Sequence, residues 1–253
     1  MPHAYRAYPP GKPDYTALDL PPAPAHRPYI LVNMVASLDG KVAVEGRERG
    51  LGSPTDQRLM RELRVNADVI LNGAGTLRAS GTSSRIDAEE LQAIRRERGK
   101  PPSPTAAVIS RSGDLPLDRR FFTAHDEFDA VLYLATSAPD DRRAALVATG
   151  RPVIDVPPHD TLPSALRHMR HELGADVLLV EGGPTLNGAL LQANALDELF
   201  LTVGPLIVGG THGLTAIETS TTPTVDGLTR MELIHAIPNP ETGEVYLRYR
   251  HRP

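Results

Sequence analysis

From Tyr29 onward, the chain alternates short apolar runs with longer segments in which apolar residues recur every three or four positions. A continuous apolar run between turn residues is typical of a strand covered by helices on both faces, and the longer recurrence is typical of an amphipathic helix. The pattern predicts strands over residues 29–37, 67–73, 105–110, 130–136, 152–156 and 175–180, and helices over residues 54–66, 87–99, 140–150 and 162–174. This alternation indicates an α/β fold.

The last third of the chain has a different pattern. Residues 189–200 are interpreted as a helix, and residues 198–210, 231–239 and 243–251 as strands, with the turn sequence PNPETG between the last two. Two strands joined by such a turn predict a C-terminal antiparallel hairpin. A hairpin added to the alternating part of the chain implies a mixed central sheet flanked by helices.

The N-terminal segment differs from the rest in composition. Eight of the 24 prolines precede Tyr29, and proline disfavours helix and sheet interiors because it has no backbone N–H group. We therefore expect a proline-rich arm over residues 1–28, which either wraps a surface or stays mobile. Residues 29–253 show no internal repeat and no obvious linker, so they are expected to form a single domain.

Composition excludes several classes of function. The formal net charge of -4 offers no basic surface, so neither a nucleic acid nor an anionic membrane is expected as a partner. The absence of cysteine excludes disulfides, thiolate zinc sites, iron–sulfur clusters and a cysteine nucleophile. We expect no bound metal, no membrane-spanning segment and, because the N-terminus does not resemble a signal peptide, a cytoplasmic location.

Three glycine-bearing stretches follow predicted strands, where open α/β sheets bind ligands. They are NGAGT (72–76), EGGPTLNG (181–188) and VGPLIVGG (203–210). Glycine lets backbone N–H groups approach a phosphate, and a helix that begins directly afterwards adds free donors. Two such loops in one sheet suggest a dinucleotide, although neither matches the G-x-G-x-x-G fingerprint. Tight turns with close helix packing remain an alternative.

The second of these loops contains groups suited to two ligands. Pro184 is suited to the first turn of a helix, which would leave the N–H groups of the neighbouring residues Gly182, Gly183, Thr185 and Leu186 free for a ligand. A carboxylate would repel phosphate, so Glu181 is expected to accept hydrogen bonds from a second ligand or to cap local N–H groups. Ser110, Arg111 and Ser112 leave another strand end, where they form either a site for the 2′-phosphate of NADPH or a simple polar loop.

Four segments together resemble the reductase domain of riboflavin biosynthesis. They are NMVASLDGK (33–41), the SP and MRELR elements within residues 53–64, ADVILNGAGT (67–76) and the long segment from LLVEGGPTLNG to GPLIVGG (178–210). The resemblance extends over about residues 29–250. No deaminase half of the kind found in bacterial bifunctional enzymes is expected, because the sequence has no HAE or PCxxC motif and its zinc site would require cysteine.

The resemblance implies a dihydrofolate-reductase-like three-layer fold, usually a homodimer. It also implies NADPH-dependent reduction of the ribosyl group of a 5-amino-6-(5-phosphoribosylamino)uracil-type substrate to a ribityl chain. By position, the cofactor would contact Val35, Gly73, Gly75, Thr76, Ser110, Arg111, Gly182, Gly183, Pro184, Thr185, Leu186 and Asn187. The phosphorylated substrate would contact Glu181, which is also a catalytic candidate, Asn33 and Arg64. Arg64 is otherwise a solvated helix residue, and Asp39 is either a catalytic residue or a turn residue.

One departure from the family pattern leaves the substrate open. After GT, the riboflavin reductases usually read xxDDPxLTxR, whereas this chain reads LRASGTSSR over residues 77–85. Ser80, Ser84 and Arg85 offer hydrogen-bond donors for a substrate phosphate, but the acids are missing. Two alternatives therefore remain, an NADPH-dependent reductase for another substrate such as a pteridine and a non-catalytic NADPH-binding protein.

Overall fold

A computed structural model of the protein describes residues 11–48 and 50–252. These residues form a nine-stranded sheet. The strands are β1 (Tyr29–Ala36), β2 (Val69–Gly73), β3 (Thr105–Ser110), β4 (Ala130–Ala135), β5 (Val153–Val156), β6 (Val177–Val180), β7 (Glu198–Val203), β8 (Met231–Pro238) and β9 (Val245–His251). The helices are α1 (Pro54–Asn66), α2 (Ala74–Ala79), α3 (Glu89–Glu97), α4 (Arg120–Thr123), α5 (Asp140–Val147), α6 (Thr161–His171) and α7 (Pro184–Gln192), with a 3₁₀ turn at Val225–Gly227.

The sheet is mixed. Its strand order is β5-β4-β3-β2-β6-β1-β7-β9-β8. Neighbouring strands from β5 to β7 are parallel, whereas β9 runs antiparallel to both β7 and β8. The predicted α/β class, mixed sheet and C-terminal hairpin are confirmed. Because the strands from β5 to β7 are parallel, their carboxyl ends meet at one edge of the sheet, which is where a ligand site is expected.

Buried layers form on both faces of the sheet because successive strand residues point to opposite sides. Ile30 and Val32 of β1 belong to a buried cluster that includes Met169 of α6. Leu31, between them, belongs to a different cluster that includes Leu63 of α1. The result is the three-layer arrangement of helices, sheet and helices.

Helix α1 has the predicted bounds, and its first turn explains why. The Oγ atom of Ser53 accepts hydrogen bonds from the N–H groups of Thr55 at 3.1 Å and Asp56 at 3.3 Å. Pro54 takes the first helical position, where its missing N–H group leaves no intrahelical bond unmade. These local signals made the helix predictable from the sequence.

The helix predicted over residues 189–200 is wrong. Helix α7 ends at Gln192, and Asn194 adopts a φ of 52°, which a helix cannot continue through. Asp197 then accepts a hydrogen bond from the N–H group of Ile30 at 2.7 Å. This contact aligns the following residues with β1, so that a strand begins at Glu198.

Two further elements differ from the prediction. Strand β7 ends at Val203 rather than residue 210. Pro205 has no N–H group for a strand ladder, and a Cβ atom on Gly204 would lie 2.5 Å from the carbonyl oxygen of Leu51. The short helix α2 was not predicted, because its six residues lie within a glycine-bearing stretch that was interpreted as a loop.

The described part of the proline-rich arm, residues 11–28, contains no helix or strand. The first ten residues of the predicted arm lie outside the described residues. Tyr15 is buried, meets the ring of Phe200 edge-on at 5.0 Å and stacks on His235 at 5.7 Å between ring centroids. Lys12 forms an ion pair with Glu62 of α1 at 2.7 Å. These contacts hold the arm against α1 and the C-terminal strands.

The contact between Tyr15 and His235 predicts a pH-dependent stability. Burial, followed by the nearby Arg248 guanidinium, lowers the pKa of His235 from 6.5 to about 4. Because the folded pKa is the lower one, this stability is present above pH 6.5 and is lost as pH falls towards 4. We expect a loss of about 1–2 kcal/mol, less than the full shift because the ring is partly exposed.

The measurement is denaturant unfolding of the wild-type and His235→Phe proteins across this pH range. Phenylalanine preserves the stacking on Tyr15 but has no titratable nitrogen. The variant should therefore lose less stability between pH 6.5 and 4 than the wild type does. Parallel pH profiles for the two proteins would contradict the assignment to His235.

Candidate active site

The carboxyl ends of β1, β2, β3 and β6 open into a cleft of about 1380 Å³. Pockets for one small ligand have volumes of roughly 300–1,000 Å³, so this cleft has room for two ligands side by side. Most of the predicted site residues line it: Asn33, Val35, Arg64, Gly73, Gly75, Thr76, Ser80, Ser110, Arg111, Glu181, Gly182, Gly183, Pro184, Thr185 and Leu186. Asp39, Ser84, Arg85 and Asn187 are not among the lining residues.

Two glycine-bearing loops contact each other in this cleft. The N–H group of Gly73 donates to the carbonyl oxygen of Gly182 at 2.9 Å, and Gly182 has a φ of +94°, a conformation that favours glycine. A Cβ atom on Gly183 would lie 3.2 Å from Oγ1 of Thr76, so the loops leave little room for a larger residue. A Cβ atom on Gly75 would meet no atom within 4 Å. The open space of the cleft therefore begins at Gly75.

The first turn of α7 faces this space. Gly183 is the N-cap residue and Pro184 the first helical residue, and no side chain caps the turn. The N–H group of Leu186 donates to the carbonyl oxygen of Gly183 at 2.9 Å, so the expectation that it is free for a ligand is corrected. The N–H groups of Gly183 and Thr185 donate no hydrogen bond within the described residues. They and the helix dipole favour an anion.

Glu181 and Arg64 form a two-point ion pair at the cleft. Nε and Nη2 of Arg64 donate to the two carboxylate oxygens of Glu181 at 2.7 and 2.8 Å, and both side chains are about nine-tenths buried. Nη1 of Arg64 donates to the carbonyl oxygen of Arg85 at 2.6 Å. The alternative interpretation of Arg64 as a solvated helix residue is therefore wrong. Arg64 holds the carboxylate of Glu181 in one orientation.

Strand β1 contributes alternate side chains to the same cleft. Asn33 and Val35 are two positions apart and therefore share one face of the strand. Val35 pairs in register with Thr202 of β7, and Val32 pairs with Val180, the residue before Glu181. The Asn33 amide therefore lies on the strand next to the one that leads into Glu181, and both side chains line the cleft.

Asp56 also lines the cleft, although the sequence analysis did not single it out. In a capping box, its carboxylate would accept a hydrogen bond from the N–H group of Ser53. Here that N–H group donates instead to Glu244 at 2.7 Å. The carboxyl group of Asp56 hydrogen-bonds Thr202 of β7, and a Cβ atom on Gly52 would lie 2.1 Å from Asp56 Oδ2. Glycine at position 52 thus makes room for this carboxyl group.

The environment of Asp56 favours its protonated form. Burial raises its pKa from 3.8 to about 6, and the carboxylate of Glu244 acts in the same direction against the hydrogen bond with Thr202. A carboxylic acid that exchanges its proton near neutral pH is suited to general acid catalysis. The cleft therefore contains one carboxylate held by an arginine, Glu181, and one carboxyl group that titrates near pH 6, Asp56.

The end of the cleft next to β3 is basic. Arg78, Arg111 and Arg119 line it, whereas the lining carboxylates Glu48, Asp56 and Glu181 belong to segments next to β1 and β6. Nε of Arg119 is buried and has no hydrogen-bond partner among the described atoms. Ser110 Oγ accepts a hydrogen bond from the N–H group of Gly113 at 3.0 Å, so its hydroxyl hydrogen is available for a bond to a ligand. An anion at this end would find several unused donors.

The family of the chain follows from a comparison with family models. Residues 28–238 match the family described as the RibD C-terminal domain. The chain belongs to this family. Within it, the chain is 32% identical over 191 residues to the 2,5-diamino-6-ribosylamino-4(3H)-pyrimidinone 5′-phosphate reductase of Archaeoglobus fulgidus, covering 73% of this chain and 83% of the relative. It is 29% identical to the reductase of the same name from Methanothermobacter thermautotrophicus, covering 76% and 84%.

Solved structures share the fold of this RibD C-terminal domain. A pyrimidine reductase-like protein from Corynebacterium diphtheriae superposes with a TM-score of 0.80 at 23% identity, covering 89% of this chain and 92% of that one. The similarity in fold agrees with the α/β, three-layer arrangement that the resemblance implied. At this identity it is a likeness of fold alone.

Asp39 lies on the exposed surface of this RibD C-terminal domain. Its carboxylate accepts hydrogen bonds from Ser37 Oγ at 2.6 Å and from the N–H groups of Val208 and Gly209 at 3.0 and 2.8 Å. These hydrogen bonds lower the pKa of Asp39 to about 2, and the one from Ser37 has the largest effect. Asp39 thus joins the end of β1 to the segment after β7, an arrangement that supports the turn interpretation over the catalytic one.

The segment that replaces the DDP sequence of the RibD family directs two candidate residues away from the cleft. Arg85 forms ion pairs with Asp87 at 2.5 Å and with Glu127 at 3.0 Å. The side chain of Ser84 is fully buried, and its Oγ atom has no hydrogen-bond partner among the described atoms. Of the three substrate candidates in this segment, Ser80 alone lines the cleft.

Asn187 of α7 is another predicted site residue that does not line the cleft. Its side chain is fully buried, and its Nδ2 atom donates to the carbonyl oxygen of Ala216 at 2.8 Å. The residue does not line the cleft because its amide packs against the segment after β7.

No helix within residues 11–48 and 50–252 is both long and apolar enough to cross a bilayer. No three histidine, aspartate or glutamate side chains in these ranges are grouped as metal ligands.

Proposed function

We propose that this chain uses NADPH to reduce the ribosyl group of a 5-amino-6-(5-phosphoribosylamino)uracil-type substrate to a ribityl chain in riboflavin biosynthesis. The observation that carries the proposal is the single cleft in which the glycine loops adjoin the Arg64–Glu181 pair. The archaeal relatives are named as reductases of a ribosylaminopyrimidinone 5′-phosphate, which is a substrate of this type.

The residues of the glycine loops fit a dinucleotide. Gly75 opens into the cleft, and the N–H groups of Gly183 and Thr185 are available at the start of α7. We assign these groups to the pyrophosphate and Val35 to the nicotinamide ring. When bound, NADPH supplies a hydride. The close packing of Gly183 on Thr76 supports this assignment, because it brings backbone rather than side chains to the phosphates.

On the substrate side, Glu181 and Asn33 orient the molecule, and Asp56 supplies a proton. Opening of the ribosylamine ring leaves a carbon–nitrogen double bond at C1′ and a free 4′-hydroxyl group. With the hydride that NADPH would supply at C1′, the nitrogen would take up the proton from Asp56, which would leave an amine and an aspartate. Glu181, fixed by Arg64, accepts hydrogen bonds from the hydroxyl groups of the substrate and orients its ribose chain during this step.

The basic end of the cleft is assigned to the 2′-phosphate that distinguishes NADPH from NADH. We predict that Arg119→Gln weakens NADPH binding about tenfold, because one charge-assisted hydrogen bond is lost, and leaves NADH binding unchanged. Isothermal titration calorimetry with both cofactors measures this. Arg98→Gln, on the exposed end of α3, is the matched control. Equal weakening of NADH and NADPH binding would exclude a 2′-phosphate role.

The proposed function is tested by turnover. Purified protein is mixed with NADPH and either the diaminopyrimidinone or the aminouracil ribosylamine 5′-phosphate, and the ribityl product is identified by mass spectrometry. NADPH binding without turnover of either compound would favour a reductase for another heterocycle or a non-catalytic NADPH-binding protein. Absence of NADPH binding would overturn the proposed function and both of these alternatives.

A homodimer and a cytoplasmic location are also proposed. Strand β8 is an edge strand of the sheet, and it and the preceding segment expose Val225, Leu228 and Leu233. Long edge strands with exposed apolar residues favour pairing with another chain. Light scattering of the purified protein tests the dimer, and a monomeric mass at micromolar concentration would exclude it.

A further inference from the structure

The cleft-facing side of α1 carries a second arginine, Arg61, that has no assigned role. Gln57, Met60, Arg61 and Arg64 all line the cleft, as expected for residues three and four positions apart on a helix. Arg61 is partly exposed and forms no hydrogen bond or ion pair within the described ranges. It is a free cation one turn before the arginine that holds Glu181.

The neighbouring arginines of the same helix are occupied. Arg58 donates to Glu62 at 3.1 Å and to Glu90 at 2.6 Å, which directs it towards α3. All three donor nitrogens of Arg64 are used, two by Glu181 and one by a backbone carbonyl. Arg61 is therefore the cation on the cleft side of α1 that is free for an incoming anion.

Arg85, which the resemblance offered for the substrate phosphate, is also occupied. Its guanidinium pairs with Asp87 and Glu127 and does not line the cleft. A phosphorylated substrate placed against Glu181 then lacks a cation for its phosphate, unless another residue supplies one. An arginine fork matches phosphate oxygens well, so the replacement is expected to be an arginine.

We propose that Arg61 binds the 5′-phosphate of the substrate and so sets the preference for the phosphorylated compound. The inference rests on the proposed function for the identity of the substrate. Arg61 lies three positions before Arg64, so both arginines leave α1 on the side that lines the cleft. A substrate held by Glu181 at its ribose would present its phosphate to the Arg61 guanidinium.

Other cations that line the cleft fit this role less well. Arg78, Arg111 and Arg119 lie next to β3, beyond the glycine loops. Arg47 lies in the isolated bridge with Val44, outside any strand or helix, and its side chain is exposed. Arg61 has the advantage of a fixed helical position beside Glu181 and its arginine.

The experiment compares Arg61→Ala and Arg61→Lys with the wild type and with Arg98→Ala, an equal charge change on the exposed end of α3. Steady-state kinetics are measured with the ribosylaminopyrimidinone 5′-phosphate and with its dephosphorylated form. We expect Arg61→Ala to raise KM for the phosphorylated substrate about 10-fold to 100-fold, with the lysine variant in between. Neither KM for the dephosphorylated form nor the Kd for NADPH should change.

Binding of ribose 5-phosphate to the NADPH-loaded protein, measured by calorimetry, tests Arg61 separately from turnover. If the wild type turns over neither pyrimidine, the proposed function fails, whereas loss of ribose 5-phosphate binding in Arg61→Ala still supports Arg61 as the phosphate residue. Equal ribose 5-phosphate affinity in the wild type and Arg61→Ala would overturn the inference. So would an unchanged preference for the phosphorylated substrate, or a loss of that preference in Arg47→Ala with Arg61→Ala unaffected.

Discussion

Replacing Asp56 by asparagine is expected to lower kcat by about 100-fold to 10,000-fold at pH 7, the range that a positioned general acid contributes. Asparagine preserves the shape and the contact with Thr202 but has no proton to give to the substrate nitrogen. NADPH affinity should not change, because the carboxyl group is assigned to the substrate side of the cleft. Stopped-flow measurement of NADPH oxidation under single-turnover conditions gives the rate.

The pH profile separates this role from a structural one. Because the acid acts in its protonated form, the wild-type rate should fall as pH rises through the pKa of about 6, and this limb should be absent in Asp56→Asn. Glu48→Gln, which removes another carboxylate from the cleft lining, is the control and should keep the limb. A wild-type pH profile in the asparagine variant would refute the assignment.

Stability provides an independent check on the same variant. The folded pKa of Asp56 is raised, so the folded state holds more protons than the unfolded state between about pH 4 and 6, and stability falls as pH rises through this window. Asparagine removes the cost of ionising this carboxyl group and should raise the free energy of unfolding at pH 7 by about 1 kcal/mol, a value reduced because the group is partly exposed to solvent. An inactive variant that is at least as stable as the wild type cannot owe its inactivity to unfolding.

Replacing Gly75 by valine is expected to weaken NADPH binding at least about 100-fold, because the branched side chain would occupy the space assigned to the pyrophosphate. The fold should tolerate the change, since a Cβ atom at this position meets no atom within 4 Å and the φ of Gly75 is not positive. Calorimetry with NADPH gives the affinity, and thermal unfolding confirms that the variant is folded.

Glu181→Gln is the complementary variant for this experiment. It should keep the NADPH affinity of the wild type and lower turnover, because Glu181 is assigned to the substrate. If Gly75→Val bound NADPH normally while folded, the glycine loops would not be the cofactor site. If Glu181→Gln lost NADPH binding to the same extent as turnover, Glu181 would have been assigned to the wrong ligand.

Local sequence signals located much of the fold and the outline of the cleft. Ser53 and Pro54 mark the start of α1, and helix α1 has the predicted bounds. The three-layer order followed from apolar runs, and the meeting of the glycine loops followed from parallel strands whose carboxyl ends share one edge. Where the chain direction depends on distant partners, prediction failed. Asn194 and the hydrogen bond from Ile30 to Asp197 end α7 and begin β7, and neither is visible in a local pattern.

The candidate site shows the same division between local and distant causes. The resemblance identified Glu181 and Arg64, but their mutual ion pair joins residues 117 positions apart. Arg85 leaves the cleft because Glu127 attracts it, and Asp56 faces the cleft because another acid takes its capping partner. The motif S-x-x-D at residues 53–56 marks Asp56 as a first-turn residue, but this pattern favours a structural cap over a catalytic acid.

Glu244, directly before β9, therefore links the last hairpin to the proposed chemistry of the cleft. Burial raises its pKa, but hydrogen bonds from Tyr246 and Ser53 lower it further than burial raises it, so the group carries its negative charge. The carboxylate of Glu244 accepts the hydrogen bond from the N–H group of Ser53, and its charge disfavours a second negative charge on Asp56. The C-terminal hairpin thus contributes to the raised pKa of Asp56, and we expect Glu244→Gln to lower the pH at which Asp56 titrates while every residue assigned to the substrate stays the same.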